Sequence, residues 1–130
     1  MAEKIIKTIV LDNDLELRFY DASRKVAGDR WQVTLIARIE IPVEQATFLA
    51  DENNLYNFKT FMASCENKVH YEQKRTRNFI GATQKDDVLQ SLMDSFLTSS
   101  LAYLSHPHFP QKYILRQYQA YLKRKTWAAQ

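Results

Sequence analysis

Histidine and cysteine are the side chains here that most readily bind a metal or act as nucleophiles, and they are few. His106 and His108 flank one proline, and Cys65 precedes His70 by five positions. A structural zinc site needs four ligands and a catalytic site usually three. No other His, Cys, Asp or Glu lies at a spacing from these residues that is typical of a zinc site. No orienting acid or oxyanion hole is recognisable beside Cys65. We therefore predict exposed imidazoles in a connector, a buried thiol, and no metal or cofactor.

The segment Asp21–Trp31 gathers cations around a glycine. Arg24 and Lys25 precede Gly28, and Arg30 follows it. Cations around a turn whose backbone N–H groups are free could bind an anion. A solvated loop whose charges pair with one another explains the same residues, because exposed loops are normally polar. We predict a loop over Asp21–Arg30 and keep its three cations as candidate binding residues.

A second group of cations lies among aromatic residues in the last half of the chain. The stretch Lys68–Phe79 and the final helix supply it, and its candidate binding residues are Lys74, Arg75, Arg77, Arg116, Lys123 and Arg124. Surfaces that bind single-stranded nucleic acid combine cations for the phosphates with rings that stack on bases. The alternative is a solvated edge strand, on which charges prevent aggregation, beside a helix with an ordinary polar face.

Aromatic content and charge distribution favour a protein partner more than nucleic acid. The chain has seven tyrosines, seven phenylalanines and two tryptophans. Aromatic residues dominate interface hot spots, although a compact core can also absorb them. Residues 1–66 hold 8 Lys/Arg and 11 Asp/Glu, whereas residues 67–130 hold 10 and 4. Halves of opposite sign could steer two copies of the chain together, or a polyanion to one face.

Alternating or β-branched segments predict the strands that position these residues. Four such segments occur, at Lys4–Leu11, Leu15–Tyr20, Trp31–Val43 and Val69–Phe79. The first two form a hairpin around Asp12–Asp14, since Asn and Asp tolerate left-handed backbone angles. The third strand has one continuously apolar face and one mixed face, as antiparallel strands with one covered face do.

Periodicity of 3.6 residues predicts three helices. A short one lies near Asn54–Ser64, and the strongest stripe begins after a capping-box-like Thr83–Asp86. We expect Val88, Leu92, Phe96 and Leu101 of that stripe to be buried. The last helix starts near Pro110, where a missing N–H costs nothing, and its stripe comprises Tyr113, Ile114, Tyr118, Tyr121 and Leu122.

This order of elements predicts an α+β fold, an antiparallel sheet of about four strands with two C-terminal helices packed on one face. A curved half-barrel around the long helix fits the same pattern. The length of 130 residues and the lack of a linker or repeat predict a single domain, 1–130. One cysteine excludes an internal disulfide. The first residues given do not have the apolar core typical of a signal peptide, and no apolar run is long enough to span a bilayer. We expect a soluble, cytoplasmic protein that does not bind membranes.

The functional expectation is a small non-enzymatic binding or assembly domain. A non-enzymatic role is expected because the motifs of the common catalytic sites are missing. The expected partner is another protein or a second copy of the chain. The alternative is a nucleic-acid-binding domain that uses the basic-aromatic strand and the basic C-terminal helix.

Overall fold

The computed structural model of the chain describes residues 3–43 and 55–128, without the side chains of 55–58 and 125–128. Eight elements follow one another: β1 (Lys4–Val10), β2 (Glu16–Asp21), β3 (Arg24–Ala27), β4 (Arg30–Pro42), α1 (Leu55–Ser64), β5 (Lys68–Gly81), α2 (Lys85–Ser105) and α3 (Phe109–Ala128). The predicted α+β class is confirmed, with an antiparallel sheet and C-terminal helices. The described sheet has five strands rather than about four, in the order β1-β2-β4-β3, with β5 also paired to β4.

The fifth strand comes from the segment predicted as a loop, and that prediction is wrong. β2 and β3 run along the same side of β4 in one register, because Asp21 pairs with Leu35 and Arg24 with Gln32. Only two residues separate β2 from β3. The hydroxyl oxygen of one of them, Ser23 Oγ, accepts a hydrogen bond from the Thr34 amide of β4 at 3.0 Å. Gly28, at φ 53°, makes the tight turn into β4. Pairing with β4 therefore overrides a composition that is typical of loops.

Contacts within the chain divide it into two compact units. Unit 1 comprises Met1–Ile39 and Tyr71–His106, and unit 2 comprises Glu40–His70 and Pro107–Gln130. The prediction of a single domain stays a prediction.

The core of unit 1 lies between the apolar face of the sheet and α2. Phe19 of β2 meets Phe96 of α2 edge to face, with ring centroids 5.6 Å apart. The buried residues of α2 are Leu89, Leu92, Met93, Phe96 and Leu104. Burial of Leu92 and Phe96 is as predicted, whereas Val88 is half-buried and Leu101 is 38% exposed. The expected burial is therefore wrong for Leu101 and only partly met by Val88.

Side chains of the sheet contact the first residue of α2, and a side chain of the β1–β2 turn contacts its last turn. Helix α2 begins at Lys85, and Gln84 caps it without a side-chain hydrogen bond, so the predicted capping box does not form. Lys85 Nζ instead lies 4.3 Å from the Trp31 ring centroid and 3.9 Å from Asp21 Oδ2. At the other end, Asn13 Nδ2 donates to the carbonyl oxygens of Leu104 and His106, at 2.7 and 3.0 Å.

Unit 2 packs α1 against α3. The Phe61 ring lies 5.4 Å from Tyr118 and 5.5 Å from Tyr121, measured between centroids. The hydroxyl of Tyr121 donates to Thr60 Oγ1 at 3.2 Å. The predicted stripe on α3 is observed, since Ile114 and Tyr118 are buried and its other three members are half-buried. For α1, the predicted start at Asn54 lies outside the described residues.

The turn from α1 to β5 contains two non-glycine residues with left-handed backbone angles, Glu66 and Asn67. Glu66 has φ 56°, in the left-handed region, and the Asn67 amide donates to the Met62 carbonyl at 2.9 Å to close the helix end. Because glycine adopts this conformation without strain, we expect Glu66→Gly to raise the free energy of unfolding by about 0.5–1 kcal/mol in urea denaturation. The matched variant Glu66→Ala keeps the strain and should give no such gain. Equal stability of the two variants would contradict this account.

Candidate interaction surfaces

The cations of the β3–β4 hairpin do not surround one turn. Cross-strand pairing places Arg24 beside Gln32, whose Oε1 accepts from Arg24 Nε at 3.0 Å. Lys25 pairs with Trp31 and therefore lies on the opposite face of the strand. Arg30 is exposed at the hairpin end, with Nε 3.7 Å from Asp29 Oδ1. The structure thus brings these three candidate residues to one hairpin but points them in different directions.

The cations of β5 are likewise divided between the two faces of the sheet. Side-chain hydrogen bonds join Gln32 to Asn78 and Arg38 to Glu72, so even-numbered residues of β5 lie on the sheet face opposite α2. Lys74 belongs to this face, which we name the open face. Arg75 belongs to the other face, where its guanidinium carbon lies 5.4 Å from the Phe96 ring centroid.

Alternation along β5 places Arg77 with Arg75 on the helix side. Arg75 is half-buried there, and its Nη2 donates to Ser99 Oγ at 3.4 Å. The stretch Lys68–Phe79 therefore presents no continuous basic surface. Phe79 itself departs from the alternation, because its φ is 58° and its ring is largely exposed.

The centre of the open face is an ion-pair network that sequence reasoning missed. The Arg38 guanidinium lies 4.9 Å from the Tyr20 ring centroid and donates to the carboxylates of Glu3 and Glu72. The hydrogen bond to Glu3 is the largest of the causes that raise the pKa of Arg38 above its usual value. The available signal was an arginine in the middle of the longest predicted strand, on its mixed face. Because both carboxylates balance its charge, this network offers little attraction to an anion.

Strand β1 forms one edge of the sheet, and sequence reasoning did not single it out. It pairs with β2, and among the described strands no other pairs with it. Ile5 and Val10 are 51% and 67% exposed, respectively. The Leu11 amide donates to the Leu15 carbonyl at 2.8 Å, which makes this a hydrogen-bonded pair.

The alternation of an antiparallel ladder follows from that pair. Ile9, opposite Leu17, is the next hydrogen-bonded position, so Thr8 and Val10 direct their amide and carbonyl groups away from β2. A bulge between Ile5 and Lys7 interrupts the ladder further along. The outer side of β1 therefore offers backbone donors and acceptors beside exposed aliphatic side chains.

The remaining candidate cations lie on α3, in unit 2. Arg116, Lys123 and Arg124 are all exposed, and so is Lys112. Within the described part of the chain, no ion pair engages these four side chains. Helix α3 contains no Asp or Glu. Among the described helices α3 carries the largest number of cations, and all of its charged residues are of one sign.

The histidines and the cysteine are scattered in the structure. His106 and His108 are exposed, as predicted. Cys65 is half-buried rather than buried, and its Sγ lies 3.6 Å from the Met62 carbonyl oxygen. His70 Nε2 lies 3.9 Å from Glu40 Oε1. Across residues 3–43 and 55–128, no three His, Cys, Asp or Glu side chains cluster as a metal site requires. The absence of a structural zinc stays a prediction.

None of the described helices is both long and apolar enough to cross a membrane. Comparison of the chain with protein-family models, with curated proteins and with solved structures finds no match.

Proposed function

We propose that this protein is a non-enzymatic assembly domain that self-associates through the outer edge of β1. The observation that carries the proposal is an edge strand with outward-directed backbone groups and two aliphatic side chains more than half exposed. An unpaired strand edge is a template for pairing with another chain. An exposed aliphatic strand of this kind costs solubility unless a partner covers it.

A second copy of β1 is the partner that suits this edge best. In an antiparallel pair each hydrogen-bonded residue both donates to and accepts from the residue opposite, so the outward groups of two identical strands complement each other across a two-fold axis. Ile5 and Val10 of both copies would then share one face of a continuous sheet. Lys4 and Lys7 disfavour uncontrolled stacking, since lysines on an edge strand act against aggregation. Because a single strand pair is a small interface, we expect a dissociation constant on the order of micromolar.

Sedimentation equilibrium at several protein concentrations tests the proposal. We expect a monomer–dimer equilibrium for the natural chain and a monomer for Thr8→Pro. Proline at this position removes an N–H that points away from β2, so the β1–β2 ladder keeps its hydrogen bonds. Val10→Lys should also weaken the dimer, because it adds a third positive charge to each edge.

Leu115→Lys is the matched control, since it places the same charge at another exposed aliphatic residue, on α3. It should leave the dimer intact. A natural chain that stays monomeric at about 100 micromolar, well above the expected dissociation constant, would overturn the proposal. A Thr8→Pro variant that is folded by circular dichroism and still dimeric would exclude the β1 edge as the interface.

A further inference from the structure

The charge on α3 is uniform in sign along the whole helix. Its 20 residues, Phe109–Ala128, include five Lys or Arg and neither Asp nor Glu. On many surface helices opposite charges three or four residues apart stabilise each other. Helix α3 can form no such pair, because it has no acidic residue. Lys123 and Arg124 suit the negative end of the helix dipole, but neither ion pairing within the helix nor the dipole accounts for Lys112 and Arg116, which lie nearer the start of α3.

Three of these cations lie on one side of α3. Lys112, Arg116 and Lys123 follow one another at spacings of four and seven residues, which return to the same face of a helix. At 1.5 Å per residue they span about 16 Å along the axis. All three are exposed, and Gln119 lies between the second and the third. We name this surface the α3 basic face.

The opposite side of α3 is used inside unit 2. Ile114 and Tyr118 are buried, and the Tyr118 ring packs 5.4 Å from Phe61. An amphipathic helix that binds a lipid surface must insert its apolar face, and here that face is already covered. The α3 basic face therefore suits a partner that is recognised by charge and hydrogen bonding alone.

We propose that the α3 basic face binds the phosphate backbone of a nucleic acid. A duplex carries one negative charge per about 1.7 Å of its axis, so a row of about 16 Å faces several phosphates at once. Lys and Arg contacts to phosphates carry no direct sequence information, and the binding is therefore largely independent of sequence. The cations of β5 do not contribute, because they are divided between two faces and Arg75 packs on Phe96. The proposal uses a surface separate from the β1 edge and does not rest on self-association.

Fluorescence anisotropy tests the proposal with the full chain and a labelled 20-nucleotide DNA, single-stranded in one arm and duplex in the other. We expect affinity to fall with salt by about 0.9 log units per log unit of salt for each duplex phosphate contacted, and by about 0.7 for each single-strand phosphate. Lys112→Gln, Arg116→Gln and Lys123→Gln together should weaken duplex binding by about 100-fold or more at 0.1 M salt and lower the slope by nearly 3.

The matched control is a triple variant with the same loss of charge on unit 1, Lys25→Gln, Lys74→Gln and Arg77→Gln. It should retain most of the affinity and slope. An equal loss in the two triple variants would assign the effect to net charge or to β5, and would overturn the proposal. So would the absence of binding to either DNA at 50 mM salt, or tighter binding of labelled polyglutamate than of DNA. Circular dichroism should be unchanged in both triple variants, because all six side chains are exposed.

Discussion

Replacement of Phe96 by alanine is expected to lower the free energy of unfolding by about 3–5 kcal/mol, the usual cost of deleting a buried ring. Phe96 is only 1% exposed and packs edge to face on Phe19, the central contact between α2 and the sheet. Its ring also lies against the Arg75 guanidinium, so the variant loses a cation–π contact in addition to buried area. Urea denaturation followed by circular dichroism measures the loss.

Leu101→Ala is the matched control for Phe96→Ala on the same helix. Leu101 remains 38% exposed, so we expect a loss below about 1 kcal/mol. A loss below 1 kcal/mol for Phe96→Ala as well would contradict the packing of α2 on the apolar face of the sheet.

Replacement of Asn13 by aspartate is expected to destabilise the fold by about 2–4 kcal/mol. The Asn13 amide group donates to two carbonyl oxygens at the end of α2, while its Oδ1 accepts from the Leu15 amide at 3.2 Å. Aspartate has almost the same shape but no donor when ionised. It would set a negative charge against carbonyl oxygens at the negative end of a helix dipole. Urea denaturation at pH 7 measures the effect.

Two further variants separate the hydrogen bonds of Asn13 from other effects in this turn. Asn13→Ala removes the donors without adding charge, so its loss should be smaller than that of Asn13→Asp. Asp14→Gly should be neutral or stabilising, since Asp14 has φ 68° at the left-handed position of the turn. Equal stability of Asn13→Asp and the natural chain would show that the side-chain bonds to α2 do not hold the hairpin.

The predicted element types agree with the structure where one period dominates the sequence. The stripe of α2 identified Leu92 and Phe96 as buried because both face the sheet. The same reasoning failed at Leu101, since periodicity gives the face of a helix but not how far along it the packing partner extends. β3 was missed because its four exposed residues, Arg24–Ala27, gain their conformation from pairing with β4 rather than from their own preferences.

The candidate surfaces were predictable only in part. Alternation along β5 is a local property and could have set Arg75 and Arg77 apart from Lys74, but the sequence analysis grouped the three. No local pattern says which face of a strand a helix covers. The edge position of β1 was not accessible for a similar reason, since strand order depends on pairings between distant segments. The basic character of α3 was visible at once, because composition and helical spacing are local properties of the chain.

The division of the chain between units 1 and 2 has a consequence for its synthesis. Each unit is made of two separate stretches, and unit 1 is complete only when the chain has grown to His106. β4 must therefore wait for β5 and α2 to leave the ribosome, which takes several seconds at about 5–20 residues per second. Unit 2 closes only with the last helix, so a chain that ends within α3 contains all of unit 1 but only part of unit 2. Pulse-labelled nascent chains should become resistant to protease in that order.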